Sequence, residues 1–438
     1  MRHHAYRFAA AAVAAVTALA LAAPAQAGAV AQPDWMPTLD NDDVVVSVPG
    51  TGDAGGADQL GRSRDIGLFG TDPANWPPVR IIDYPAAFGF TIGPVLIPIV
   101  GTGTFNGSTD IGSAKAVAAA ENHQGNGRVV LNGYSQSAPI AMNAAHLLRL
   151  RGTPDEKIMV VVGADSRFPN TGVENVLPSF LPGMLTNGDR DPADLGDAEV
   201  YSYCVRGDAT CGVGNPLADP LGTLFYLAPG FYLHANMNDD LNDFTEVRRW
   251  SSKDGCLANC GNTTYVVYDG GNPWAMMLRD NGVPVPREVD YVISILVPVP
   301  EPGVRQKFAG VDVPTPRELQ ESASKLLGLT VPTSDPDRNA KVRDRLVADA
   351  TRDDSTPAPP RGQLRTAVTS AANAFSTARR DLKAAVRELA PPKLRDGVAK
   401  IQNAVEQRLT DRRQQRAERP RLVERVKATA STQGENNP

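Results

Sequence analysis

Three side chains far apart in the chain, Ser135, Asp208 and His234, hold the chemistry that this sequence is best equipped to perform. A serine hydroxyl is a poor nucleophile at its own pKa. It needs a base within hydrogen-bond reach, and that base needs a third group to orient it. Ser135 lies in Gly133-Tyr134-Ser135-Gln136-Ser137. A glycine two positions before a serine and a small residue two positions after it allow a sharp strand-to-helix turn, which pushes the hydroxyl out above a sheet. Here Ser137 stands where a second glycine is usual. Any doubly wound domain can contain a polar turn of this pattern, so the discrimination rests on a carboxylate and an imidazole further along.

The chain has five histidines. His3 and His4 lie in a leader-like start. His146 falls on the helical pattern that follows Ser135, eleven positions on, roughly 16 Å away along a helix and out of reach of the hydroxyl. His123 sits by a Gly-rich turn before the serine strand, at the opposite end of the sheet. His234, in Tyr232-Leu233-His234-Ala235-Asn236, remains. For the acid, Asp208 lies between Cys204 and Cys211, in a loop that a disulfide would hold rigid. Asp165, at the end of an apolar run, competes for the role. With Asp208 the order is serine, acid, histidine, the chain order of α/β-hydrolases. Two backbone N–H groups are candidate oxyanion donors. Gln136 follows the nucleophile, and Thr51 sits in Pro49-Gly50-Thr51-Gly52. That glycine turn lacks the lysine of a P-loop and the third glycine of a dinucleotide motif.

The elements that must position these groups are legible as short apolar runs. Strands are predicted at Asp43–Val48, Val79–Asp83, Val129–Leu131, Lys157–Gly163 and Glu199–Val205. Helices are predicted over Ile111–Asn122 and from about Gln136 to Leu150, the latter with Ile140, Ala144, Leu147 and Leu148 on one face. This alternation predicts an α/β fold, with a mainly parallel sheet, helices on both faces and a C-terminal helical extension. Pro85–Phe105 is apolar but broken by prolines and glycines. It excludes one regular helix and reads as a lid, an acyl-chain surface or an irregular core segment. Residues 167–197 read as loop.

Gly-Tyr-Ser-Gln at 133–136, the Cys204…Asp208…Cys211 loop and the later His234 resemble the cutinase family. The wider stretch is similar to the PE-PPE domain family of actinobacterial exported hydrolases. It runs from Val-Pro-Gly-Thr-Gly at 48–52 through Gly-Tyr-Ser-Gln-Ser-Ala at 133–138 to Asn-Pro-Leu at 215–217. The resemblance spans about residues 43–300. It implies an α/β-hydrolase fold and a serine esterase, or an acyltransferase that moves acyl groups onto envelope glycolipids, with catalytic Ser135, Asp208 and His234. The expected partners are an acyl-ester or lipid substrate and a glycolipid acceptor, with no nucleic acid, no cofactor and no metal. The reading from a different class is a non-catalytic envelope-binding protein on a hydrolase fold.

Charge and cysteine usage set the context. From Arg361 onward there are 17 Lys/Arg against 8 Asp/Glu, whereas residues 1–360 carry 27 against 41. An acidic body is therefore followed by a basic tail. Residues 1–27 read as a secretory signal, with Arg2 and Arg7, an apolar centre, and Ala25-Gln26-Ala27 as the cleavage site, which predicts a secreted or envelope-associated protein. All four cysteines lie in the exported part as two close pairs. Local disulfides Cys204–Cys211 and Cys256–Cys260 are the expectation in an oxidising compartment. Zinc is a weak alternative, since neither pair is C-x-x-C and no histidine sits at ligand spacing. Residues 28–40 read as a linker and 41–312 as the hydrolase domain. The stretch 313–360 reads as a helix opened by a Thr315…Glu318 capping box and closed at Gly328, followed by a flexible linker. Residues 361–411 carry apolar positions at helical spacing and basic faces that could touch anionic envelope lipid, and 412–438 reads as a disordered tail.

Overall fold

Apolar runs without polar alternation suit strands that are covered on both faces, and they form the centre of this molecule. The computed structural model describes residues 32–70, 75–123, 125–236 and 241–352. In chain order the elements begin with β1 (Val44–Val48), α1 (Ala57–Asp65), β2 (Val79–Ile81), β3 (Phe88–Ile92), β4 (Val95–Val100) and α2 (Phe105–Glu121). Next come β5 (Val129–Tyr134), α3 (Ser137–Leu150), β6 (Ile158–Gly163), the single turn α4 (Val173–Val176), β7 (Glu199–Val205) and α5 (Pro220–Asn236). The described part ends with β8 (Thr245–Ser251), β9 (Thr263–Asp269), α6 (Pro273–Asp280), α7 (Arg287–Leu296), a hairpin of β10 (Lys307–Phe308) and β11 (Val311–Asp312), α8 (Pro316–Leu326) and α9 (Ala340–Ala350).

Seven strands form one sheet in the order β2-β1-β5-β6-β7-β9-β8. All neighbours are parallel except β8 and β9. Successive residues of each strand face opposite layers. Val44, Val46, Val48, Leu131, Val160 and Val162 pack with Ala116 and Val117 of α2, Ile140 and Leu147 of α3, and Val342 and Leu346 of α9. Val45, Val130, Met159 and Val161 face the other way, towards Trp35, Ile66, Leu68, Leu233 of α5 and Met276 of α6. Each fully buried Val, Leu or Ile of this sheet contributes about 1.5–3 kcal/mol of hydrophobic stabilisation. Because β5, β6 and β7 run the same way, the residues just beyond Tyr134, Gly163 and Val205 gather at one rim, where ligands of open α/β sheets bind.

The structure departs from the sequence reading in several places, among them the unpredicted helices α1, α5, α6 and α7 and the single turn α4 inside the 167–197 stretch read as loop. β8 and β9 add two strands. β8, Thr-Glu-Val-Arg-Arg-Trp-Ser, is a charged edge strand, the kind that protects a sheet border and shows no apolar run. Pro85–Phe105 contains the hairpin β3–β4, with Pro98 tolerated because it lies in a two-stranded piece. Residues 32–40 do more than link, since Trp35 and Met36 are buried and the Trp35 indole N–H donates to Tyr268 Oη at 2.6 Å. The stretch read as flexible after Gly328 contains buried Ser334 and Asp335 and then α9, whose Val342 and Leu346 join the core. The capping box at Thr315 and Glu318 is present. Residues 1–27, read above as a secretory signal, residues 28–31, the basic 361–411 stretch and the 412–438 tail lie outside the described residues. Within the described residues no helix is long and apolar enough to cross a membrane.

Candidate active site

β5 ends at Tyr134 and α3 begins at Ser137, so two residues reverse the chain. Ser135 does so at φ 62°, in the left-handed region that side-chain-bearing residues avoid. Such a conformation costs on the order of 1–3 kcal/mol and needs surroundings that enforce it. Its N–H donates to Gly163 O at 3.1 Å. A Cβ on Gly133 would stand 2.4 Å from Ser137 O, so the position requires glycine. Ser137 explains its own presence in place of a second glycine. Its buried hydroxyl accepts from the Tyr134 N–H at 2.7 Å and donates to Tyr134 O at 2.8 Å, closing the turn on itself. Beneath the turn, Asn132 Oδ1 accepts from Gln59 Nε2 at 2.7 Å and Ser63 Oγ at 2.6 Å, which ties α1 to β5.

Asp208 follows β7 inside the loop closed by the Cys204–Cys211 disulfide. It is fully buried. Its Oδ1 accepts from the Thr210 N–H at 2.6 Å and the Cys211 N–H at 3.2 Å. His234 Nδ1 lies 2.9 Å from Oδ2 and 3.1 Å from Oδ1. Burial opposes the charge on this carboxylate. The His234 charge and hydrogen bond, with the two N–H donors, outweigh burial and hold the Asp208 carboxyl below its ordinary pKa.

His234 comes from the last turn of α5, and its Nε2 stands 2.8 Å from Ser135 Oγ. The ring is 14% exposed and Ser135 is partly exposed, so the hydroxyl–imidazole pair opens to solvent while the carboxylate behind it does not. With its proton on Nδ1, facing Asp208, the imidazole leaves Nε2 free to accept from the serine. Thr51 and Gln136 also meet here. Thr51 Oγ1 donates to Gln136 Oε1 at 2.9 Å, and Gln136 Nε2 donates to Ala87 O at 2.8 Å. Among the described residues neither the Thr51 N–H nor the Gln136 N–H has a hydrogen-bond acceptor.

The alternative residues lie elsewhere. His146 packs on α3 against Asp337, at 2.8 Å. His123 sits beside Gly125 and Asp42, near where β1 and β5 begin. Asp165 is buried and accepts from the Arg167 N–H at 3.0 Å; burial raises its pKa. Cys256 and Cys260 form the second disulfide, in the β8–β9 turn. The sequence reading missed Tyr134, whose ring stacks on His234, and Thr210, whose Oγ1 lies 3.4 Å from His234 Nε2. Tyr134 was in view as the middle residue between Gly133 and Ser135, but nothing in its spacing tells where a phenol will point.

A hydroxyl, an imidazole and a buried carboxylate thus stand in hydrogen-bonded series at the carboxyl rim of a mainly parallel mixed sheet, an arrangement consistent with an α/β-hydrolase-like fold. Compared with family models, curated proteins and solved structures, the chain finds no match in any of the three.

Proposed function

We propose that this protein is an exported serine esterase or acyltransferase of the PE-PPE and cutinase-like kind, acting on acyl esters through Ser135, His234 and Asp208. The observation that carries the reading is the relay itself, Ser135 Oγ to His234 Nε2 at 2.8 Å and His234 Nδ1 to Asp208 Oδ2 at 2.9 Å. As Ser135 Oγ attacks the ester carbonyl carbon, its proton passes to Nε2 and the carbonyl π pair moves onto oxygen. The N–H groups of Gln136 and Thr51 hold that oxyanion. Collapse expels the alcohol, which takes the proton from Nε2 and leaves an acyl-serine. Water, or a second alcohol such as a glycolipid hydroxyl, then repeats the steps in reverse.

An apolar substrate is supported by the β3–β4 hairpin. It rises beside Ala87, the residue that holds Gln136, and exposes Ile92 at 63% and Val95 at 56%. Export is supported by the leader-like start and by two disulfides. A fluorophosphonate probe is expected to label the wild type and not Ser135→Ala, and short p-nitrophenyl esters are expected to turn over. Labelling that persists in Ser135→Ala moves the nucleophile elsewhere. No labelling and no turnover in the wild type ends the enzymatic reading.

A further inference from the structure

We infer that Tyr134 is a positioning residue, a clamp by which the nucleophile strand holds its own base; the inference rests on the Ser135–His234–Asp208 reading above. Tyr134 precedes Ser135 directly and is 4% exposed. Its phenol O–H donates to the backbone oxygen of His234 at 2.8 Å. The same phenol oxygen lies 3.4 Å from His234 Nδ1 and 3.5 Å from Asp208 Oδ2. The Tyr134 ring stacks on the imidazole, with centroids 5.0 Å apart and planes 23° from parallel. The Arg62 guanidinium carbon sits 3.6 Å over the Tyr134 ring centre, so α1 presses on the clamp.

The need for such a clamp follows from where His234 comes from. It belongs to the last turn of α5, where backbone carbonyls have no partner within the helix. The Tyr134 hydroxyl supplies one to the carbonyl of the histidine itself. Three parts of the relay come from three separate pieces of chain: the end of β5, the disulfide loop after β7, and α5. Asp208 and Ser135 meet the two ring nitrogens, but hydrogen bonds to imidazole nitrogens lie in the ring plane and leave the ring free to tilt about the line joining them. A ring stacked on the imidazole face and a hydroxyl on its backbone remove that freedom, and both belong to the residue bonded to the nucleophile. A displacement of about 1 Å in such a relay costs on the order of 100-fold in rate.

The test uses the full chain and compares Tyr134→Phe, which keeps the ring, with Tyr134→Leu, which loses ring and hydroxyl. Leu346→Ala, a buried change in α9 within the core layer on the other side of the sheet from Tyr134 and Leu233, controls for general destabilisation. For a p-nitrophenyl ester, Tyr134→Phe is expected to lower kcat about tenfold with KM within about twofold, and Tyr134→Leu about a hundredfold. The limiting rate of fluorophosphonate labelling should fall in parallel. Leu346→Ala should lower Tm without lowering kcat. In the proton NMR spectrum, the His234 Nδ1–H signal of the wild type should broaden in Tyr134→Phe as the ring loosens and the proton exchanges faster. An unchanged kcat in Tyr134→Phe, with an active wild type, overturns the inference and leaves the triad reading standing. A kcat loss that Leu346→Ala reproduces at the same Tm overturns it as well. A Tyr134→Phe chain that does not fold assigns the residue to folding instead of positioning, and overturns it equally. A wild type that neither labels nor turns over removes the triad reading and this inference together.

Discussion

At the scale of single residues, the site depends on polar atoms satisfied where no water reaches. Asp208 takes two backbone N–H donors and one imidazole. Asp208→Asn keeps the shape but offers an amide N–H or a weaker acceptor to Nδ1, so the tautomer that leaves Nε2 able to accept from Ser135 is no longer favoured. A drop in kcat of about 10⁴-fold is expected, with KM little changed, from steady-state hydrolysis. The same carboxylate links to stability. Its folded pKa lies below the ordinary 3.8, so its contribution is in place above about pH 4 and is lost as pH falls through the folded value. Ser137 makes a second case. Ser137→Ala strips the hydroxyl from the Tyr134 N–H and carbonyl, both inside the turn. A loss of about 1–3 kcal/mol is expected in urea unfolding, the cost of leaving buried backbone groups unpaired.

At the scale of elements, the segment between α8 and α9 is fastened to the α/β core by buried charge. Arg167 and Asp335 meet at 2.6 Å, with side chains 1% and 0% exposed. Asp337 contacts Arg190 and His146, each at 2.8 Å. His146 has acceptors on both ring nitrogens, Asp194 O at 2.9 Å on Nδ1 and Asp337 on Nε2, so only the doubly protonated ring donates to both. Burial disfavours the charged ring, but the Asp337 bond and charge outweigh it and raise the His146 pKa above its ordinary 6.5. Burial likewise works against the Asp337 carboxylate, yet His146 and Arg190 push it far below its ordinary 3.8. The signs are opposite. The histidine's contribution is full below about pH 6.5 and fades as pH rises through its folded value. The aspartate's is full above about pH 4 and fades as pH falls through its own. Thermal unfolding across pH is therefore expected to show a stability plateau between those limits. His146→Gln should flatten the alkaline decline and reduce the acid one, which the Arg190 and Arg167 charges then sustain without the histidine. Asp335→Ala, which strands a buried guanidinium, is expected to cost about 3–5 kcal/mol, measured the same way.

At the scale of the whole molecule, what could be read in advance was what local pattern dictates. Strands β1, β2, β5, β6 and β7 follow short runs rich in apolar and β-branched residues, and the turn at Ser135 needs Gly133, so both are written locally, whereas inner strand β9 was not picked out. His234 was found by elimination among five histidines, which works because the chain has so few. The hairpin β3–β4, edge strand β8 and α9 escaped because tertiary partners decide them. Prolines and glycines hide a hairpin, charges hide an edge strand, and aspartates such as Asp335 and Asp337 look solvated until Arg167 and Arg190 are placed beside them. The same distinction bears on the tail. Among the described residues both core clusters draw only on positions from Trp35 to Ala350, and the candidate site lies between Thr51 and His234. From Arg361 onward the sequence carries 17 Lys/Arg against 8 Asp/Glu, a net positive charge that suits contact with an anionic surface. Deleting residues 361–438 is expected to leave ester hydrolysis and Ser135 labelling within about twofold of wild type. It should also remove most of the retention on vesicles containing anionic lipid. That retention should weaken in wild type as salt is raised, since exposed charges are screened beyond about 10 Å at 0.1 M ionic strength. Retention that survives both the deletion and high salt would place the lipid contact on the acidic body, with the exposed Ile92 and Val95 of the β3–β4 hairpin as the first residues to replace. Loss of labelling in a deleted chain that still unfolds cooperatively would mean that the basic segment contributes to the site.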